Sequence, residues 1–136
     1  MKKIGELGKV ITGKTPPTSN QYFYNGEYPF IKTPDMHKSM FLIQTEETLS
    51  EVGYRYQKAQ VVPEQSICVS CIGTGGVVAI TTKPSQTNQQ INTLILGDKN
   101  NLGWAYFTLK GLKETIDLFG VCLEHWLYKI AGGAEL

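Results

Sequence analysis

Long apolar runs are missing from this chain, and so is any dominant charge. No stretch of about 18 apolar residues exists that could cross a bilayer as a helix, and Met1-Lys2-Lys3 leads into Ile4-Gly5-Glu6 rather than an apolar signal core. Both absences point to a cytoplasmic protein without a membrane partner. Thirteen basic residues against 12 acidic ones give a net charge of +1, so the overall balance demands no polyanion and any nucleic-acid binding must be argued from local sites. Cysteine is scarce and odd in number: Cys68, Cys71 and Cys122, in a chain without secretory marks, favour reduced thiols over a disulfide framework. His37 and His125 are the two histidines, and neither forms a recognisable frame with an acid and Ser66 or Ser70, which leaves nucleophilic catalysis without support. Internal repeats, low-complexity tracts and Pro/Gly/Ser linkers are absent as well.

What is present suits one domain, since 136 residues with 41% hydrophobic content can build a single core. From Leu7 to Val62 short apolar runs alternate with turn residues such as Pro16-Pro17, Asn25-Gly26, Thr33-Pro34 and Pro63-Glu64, the pattern of short strands and loops. Asn25-Gly26, between Tyr22-Phe23-Tyr24 and Tyr28-Pro29-Phe30-Ile31, predicts a tight hairpin turn, with Pro29 placing the second strand at an edge or a start. One short helix is expected within residues 45–57, bounded near Ser50 and Glu51. Residues 67–72, 77–82 and 91–96 are rich in β-branched side chains and predict three strands.

The pattern changes after the polar segment Gly97 to Asn101. Trp104, Phe107, Leu109, Leu112, Ile116, Phe119, Leu123, Trp126 and Leu127 recur mostly at intervals of three and four, which predicts two helices interrupted near Gly111 or Gly120. The expected class is α+β, with short mixed and antiparallel strands forming a curved sheet and helices following.

Three motifs compete for the chemistry. Gly8 to Thr15 matches the phosphate-binding loop string, in which backbone N–H groups and a lysine cradle phosphates. Pro16-Pro17 follows at once, however, where that chemistry requires a helix. The alternative is a Gly/Lys/Thr-rich turn between two strands. Cys68-x-x-Cys71 with Cys122-x-x-His125 has the ligand types of a structural zinc site, but in a strand residues three apart point to opposite faces, and small buried core cysteines account for the same pattern. No metal or cofactor is expected.

The third pattern spans nearly the whole chain. Leu7-Gly8 with Ile11-Thr12-Gly13-Lys14-Thr15-Pro16, then Tyr28-Pro29-Phe30-Ile31 with Asp35-Met36, precede Val61-Val62-Pro63 and Ser66 to Thr74. Gly76 to Ile80, Thr87-Asn88-Gln89-Gln90-Ile91-Asn92, Trp104-Ala105-Tyr106-Phe107 with Leu109, and Ala131-Gly132-Gly133 complete the set. In order and spacing this resembles the target recognition domain of the DNA specificity subunit of type I restriction-modification systems. The resemblance implies a non-catalytic module that reads one half of a bipartite site on double-stranded DNA and is held by a methyltransferase (modification) subunit, which in turn brings the restriction subunit. It further implies a single recognition domain over residues 1–136, strand-rich at 4–98 and helical at 103–130, stopping before the coiled-coil spacer helix that the family carries.

Under that reading, Gly73, Thr74, Gly75, Gly76, Asn88, Gln89 and Gln90 are expected to hold loops rather than read bases, because members that read different sequences share them. Base readout is expected in the stretch between residues 18 and 60, where Ser19, Asn20, Gln21, Tyr22 and Tyr24 combine hydrogen-bonding tips with flat bodies and Lys38, Arg55, Gln57 and Lys58 add charge and reach. Lys14, Lys32 and Lys83 suit phosphate contacts. Binding by the domain alone is expected to be weak and salt-sensitive. The other function classes are a regulator or adaptor that binds the methyltransferase without reading DNA, and a nucleotide-binding enzyme using the Gly8 to Thr15 loop.

Overall fold

A computed structural model of the chain describes residues 7–70 and 77–119. Expectations resting on Cys71, Gly73, Thr74, Gly75, Gly76, Cys122, His125 and Ala131-Gly132-Gly133 fall outside the described residues.

Among the described residues, eight short strands divide between two sheets. In chain order they are β1 (Gly8–Thr12), β2 (Tyr24–Ile31), β3 (Phe41–Leu42), β4 (Glu47–Leu49), β5 (Ile67–Ser70), β6 (Val77–Thr81), β7 (Gln86–Thr87) and β8 (Ile91–Leu96). The helices are α1 (Thr33–Lys38), α2 (Glu51–Tyr56) and α3 (Leu102–Phe119). One sheet has the order β1-β8-β5-β6-β3, the other β4-β2-β7. Parallel pairing of β3 with β6 and of β2 with β7 makes both sheets mixed, and the α+β class is the one expected.

Strand β5 sits at the centre of the larger sheet with all four of its residues buried, because both faces of that sheet are covered. Strand alternation sorts its side chains. Ile67 and Val69, with Val78, Ile80, Leu94 and Leu96 of the neighbouring strands, pack against Ala105, Tyr106 and Leu109 of α3. Cys68, Ala79 and Ile91 face the other way, onto Ile31, Met36 and Leu42. A fully buried aliphatic side chain contributes roughly 1.5–3 kcal/mol, whereas an exposed ion pair such as Arg55–Glu51 contributes at most about 1 kcal/mol; these two apolar layers therefore hold the domain.

Four expectations need correction. Asn25-Gly26 does not turn a hairpin: β2 runs through it, and Tyr24 and Tyr28 both register with Leu49, so the positive φ of Asn25 (63°) serves a bulge. Pro29 is tolerated inside this central strand because β7 pairs only at Phe30 and Ile31, leaving no ladder partner on that side. The phosphate-loop string is a strand over Gly8–Thr12, registered antiparallel to Leu96 through Asn92, so it is neither a cradle nor a turn over most of its length. Helix α3 begins at Leu102 and passes through Gly111 unbroken, and the alternative interruption at Gly120 lies outside the described residues. Its inward stripe is partly buried Leu102 with buried Ala105, Tyr106 and Leu109, an i, i+3, i+4, i+7 set, while Trp104 and Phe107, expected in the apolar stripe, are exposed.

Candidate nucleic-acid interface

Helix α2 is short and therefore depends on its caps and neighbours. Ser50 Oγ accepts from the Gly53 N–H at 3.2 Å, supplying the N-cap. The same hydroxyl donates to the Tyr22 carbonyl (2.5 Å), and the Ser50 N–H donates to the Phe23 carbonyl (2.9 Å). A 3-10 turn over Gln21–Phe23 is thereby docked on the helix, its own start capped by Asn20 Oδ1, which accepts from the Tyr22 N–H at 3.0 Å. The Phe23 and Tyr56 rings meet at 4.6 Å. These contacts dock the Gln21–Phe23 turn on the Gly53 and Tyr56 side of α2, with Tyr22 left 76% exposed.

A second wall faces the end of α2. The loop after β1 is anchored where the Gly13 N–H donates to the Ile91 carbonyl (3.1 Å). A Cβ on Gly13 would come within 2.3 Å of the carbonyl oxygens of Thr87 and Asn88, so no larger residue fits. Further on, Thr15 Oγ1 donates to Gln89 Oε1 (2.5 Å), and the Tyr24 hydroxyl donates to the Pro16 carbonyl (2.5 Å). Between this loop and the last turn of α2 lies an open groove of about 550 Å³, lined by Lys14, Thr15, Pro17, Tyr56, Gln57 and Lys58 among others. A second cleft, about 400 Å³, lies between Tyr28, Glu51, Tyr54, Arg55 and Lys58. Lys58 lines both.

The rings of Tyr28 and Tyr54 stack at 4.0 Å with 21° between their planes. Burial, and then the neighbouring Tyr28, push the Tyr54 hydroxyl above its ordinary range; burial does the same to Tyr24. Both therefore remain neutral O–H donors at physiological pH. Arg55 is paired with Glu51 at 2.7 Å, both side chains well exposed. The two clefts thus gather three cations, Lys14, Arg55 and Lys58, with the rings of Tyr28, Tyr54 and Tyr56.

The remaining expected residues are placed elsewhere. Lys32, before α1, is ion-paired with Glu47 across to β4. Lys38 ends α1 and Lys83 lies in the turn after β6, both exposed, and neither lines the two clefts. Asn88 Oδ1 accepts from the Gln90 N–H (3.1 Å), an Asx turn, and the Asn88 N–H donates to the Ile31 carbonyl (3.1 Å). Gln57, expected among the reading side chains, is instead occupied: its Nε2 donates to the Lys14 carbonyl (2.6 Å) and to Gln86 Oε1 (2.7 Å). Gln86 is a residue that sequence reasoning missed. It stands beside the Thr87 to Asn92 signature, but its partners are distant in sequence. The stacking of Tyr28 on Tyr54 was likewise missed, for the same reason.

Among the described residues no cluster of three His, Cys, Asp or Glu side chains could hold a metal ion. Burial pushes the Cys68 thiol up to about 12, only partly countered by a hydrogen bond from Thr93, which keeps it an inert core group. Nor is any helix among the described residues long and apolar enough to cross a membrane.

Comparison with known proteins identifies the family. Residues 1–122 match the model of the type I restriction modification DNA specificity domain. The HindI type I restriction enzyme specificity subunit of Haemophilus influenzae is 51% identical over 110 residues, covering 81% of this chain and 24% of that protein. The MjaIX specificity subunit of Methanocaldococcus jannaschii is 26% identical over 112 residues, covering 81% of this chain and 26% of that one. The chain spans about a quarter of the length of the curated relatives it matches. The crystal structure of the HsdS subunit from Thermoanaerobacter tengcongensis shares the fold with a TM-score of 0.65 at 18% identity, over 85% of this chain and 28% of that one. The type-I restriction-modification S subunit from M. genitalium gives 0.55 at 19% identity, over 86% and 27%. On the match across residues 1–122 and the close relation to the HindI subunit, the chain belongs to the family of type I restriction modification DNA specificity domains.

Proposed function

We propose that this chain is a target recognition module that reads one half of a bipartite site on double-stranded DNA for a type I restriction-modification complex. It contributes no catalysis of its own. In the complex it is held by the methyltransferase subunit and, through that subunit, meets the restriction subunit in the cytoplasm. The observation that carries this reading is the paired clefts on either side of Lys58, which bring Lys14, Arg55 and Lys58 beside the rings of Tyr28, Tyr54 and Tyr56. In a chain of net charge +1 that local concentration of cations is what a phosphate backbone requires.

The roles divide by what each side chain can reach. Lys14 and Lys58 neutralise phosphates and set position, while Gln21, Tyr22 and Arg55, projecting from the turn and helix, meet base edges. Asn20 serves this reading indirectly, by capping the turn that presents Tyr22. Lys32, Lys38 and Lys83 contact phosphates at the margin. Asn88, Gln89 and Gln90 fasten loops.

The test is selection from a randomised duplex library, with and without the methyltransferase subunits. A short motif should be enriched by the assembled complex and only weakly by the chain alone. An assembled complex that enriches no motif would mark the chain as a regulator rather than a reader.

A further inference from the structure

Gln86 occupies a position that no expectation assigned. It is 0% exposed, where a primary amide needs partners, since burying such a group unpaired costs roughly 1–3 kcal/mol. Its partners form a chain with one direction. Gln86 Nε2 donates to the Tyr54 carbonyl at 2.8 Å, in the last turn of α2, where a helix end leaves carbonyls without intrahelical donors. Gln86 Oε1 accepts from Gln57 Nε2, and the other hydrogen of that same nitrogen goes to the Lys14 carbonyl.

Three segments are tied at one point: the end of α2, the loop after β1, and β7. The acceptors fix the orientation of the amides, because a flipped Gln57 would set its oxygen against two other oxygens. Residues on either side of these bonds, Lys14, Arg55 and Lys58, are the cations of the two clefts. Strand β7 is itself anchored in parallel register to Phe30 and Ile31 of β2, the strand that carries Tyr28.

We propose that Gln86 and Gln57 are positioning residues for DNA binding: their relay sets the separation of Lys14 from Arg55 and Lys58, so that phosphates on one strand can be met together. The proposal rests on the DNA-binding reading given above. It assigns no DNA contact to either glutamine. Held apart by this relay, the two walls act as one surface; without it, each cation binds on its own and the gain from simultaneous contact is lost.

The experiment compares Gln86→Met, Gln57→Met and the double variant with the unaltered chain, each assembled with the methyltransferase subunits, on the selected duplex and on a scrambled one, across a range of salt. Far-UV circular dichroism and thermal melts select folded protein. The relay predicts that each single variant loses about tenfold in affinity and that its salt slope falls by about 1 to 2, at 0.9 per phosphate. The double variant should be no worse than the poorer single one, as expected for groups in one network. Unchanged affinity and slope in folded Gln86→Met overturn the positioning role and leave the DNA reading intact. Weaker binding with an unchanged slope and additive losses also overturn it, by showing general destabilisation. If Gln86→Met does not fold, the slope of the partly exposed Gln57→Met decides alone. An unaltered complex that binds no duplex removes both this proposal and the reading beneath it.

Discussion

A Cβ added to Gly53 would fall 2.0 Å from the carbonyl oxygen of Phe23 and 2.8 Å from its carbon. Helix α2 and the Gln21–Phe23 turn therefore touch backbone to backbone. Gly53→Ala cannot be relieved by a rotamer change, since the obstructing atoms are main chain. Alanine gains up to about 1 kcal/mol of helix propensity, and overpacking costs about 1–3 kcal/mol, so the variant should be less stable. The expected result is an earlier urea midpoint with an unchanged m-value. It should also bind the target duplex less well, because the displaced turn carries Tyr22.

That contact illustrates which parts of the molecule are legible in the sequence. Strands β5, β6 and β8 announce themselves because β-branched runs at Ile67, Val77 and Ile91 reflect burial on both faces, a property each strand carries alone. Ser50 is readable as a helix boundary because capping is local. Asn25-Gly26 misleads because a positive φ suits a bulge as well as a hairpin turn, and only the partner strand decides. The stripe of α3 is displaced from Trp104 and Phe107 to Ala105 and Tyr106 because those two neighbours, not the bulkier residues, face Ile67 and Val69. Gln86 is illegible for the same reason in stronger form: its partners lie 29 and 32 positions away.

Asp35 ties the start of α1 to the segments after β2 and before β4. Its carboxylate is nearly buried and accepts from the Lys32 N–H at 2.9 Å through Oδ2 and from the Glu46 N–H at 3.0 Å through Oδ1. Asp35→Asn keeps the volume but turns an NH₂ group towards one of those donors. A buried donor left without an acceptor costs about 1–3 kcal/mol. Chemical denaturation should show that loss, and amide exchange should speed up at Lys32 and Glu46 rather than in β5. Wild-type exchange at those two amides would show that the carboxylate is not their acceptor.

Cys68 makes stability depend on alkaline pH. Its thiol is raised from about 9 to about 12 in the folded chain by burial, so the folded state holds a proton that the unfolded state releases. The contribution is complete below pH 9 and is lost as pH climbs towards 12, by about 1.4 kcal/mol per unit in that window. In a background with Cys71 and Cys122 replaced by alanine, Cys68→Ala should flatten this part of the stability curve. The native thiol should resist a thiol reagent at pH 8 and react once the chain is unfolded. Rapid labelling of folded protein would contradict the buried placement.

Glu51 and Lys58 oppose one another in the cleft, and their substitutions should have opposite effects on DNA. Lys58→Ala removes a cation shared by both clefts; it should weaken binding to specific and scrambled duplexes alike and lower the salt slope by about 0.9. Glu51 lines the same cleft and holds Arg55 in an exposed ion pair. Such a pair is worth at most about 1 kcal/mol, so Glu51→Gln should scarcely change stability. Binding should tighten by up to about fivefold at low salt, because a negative group leaves the phosphate path and Arg55 is released. The preference for the specific duplex should rise with it if Arg55 meets a base, and stay fixed if Arg55 meets a phosphate. Equal or weaker binding by a stable Glu51→Gln variant would place the DNA on another face of the domain.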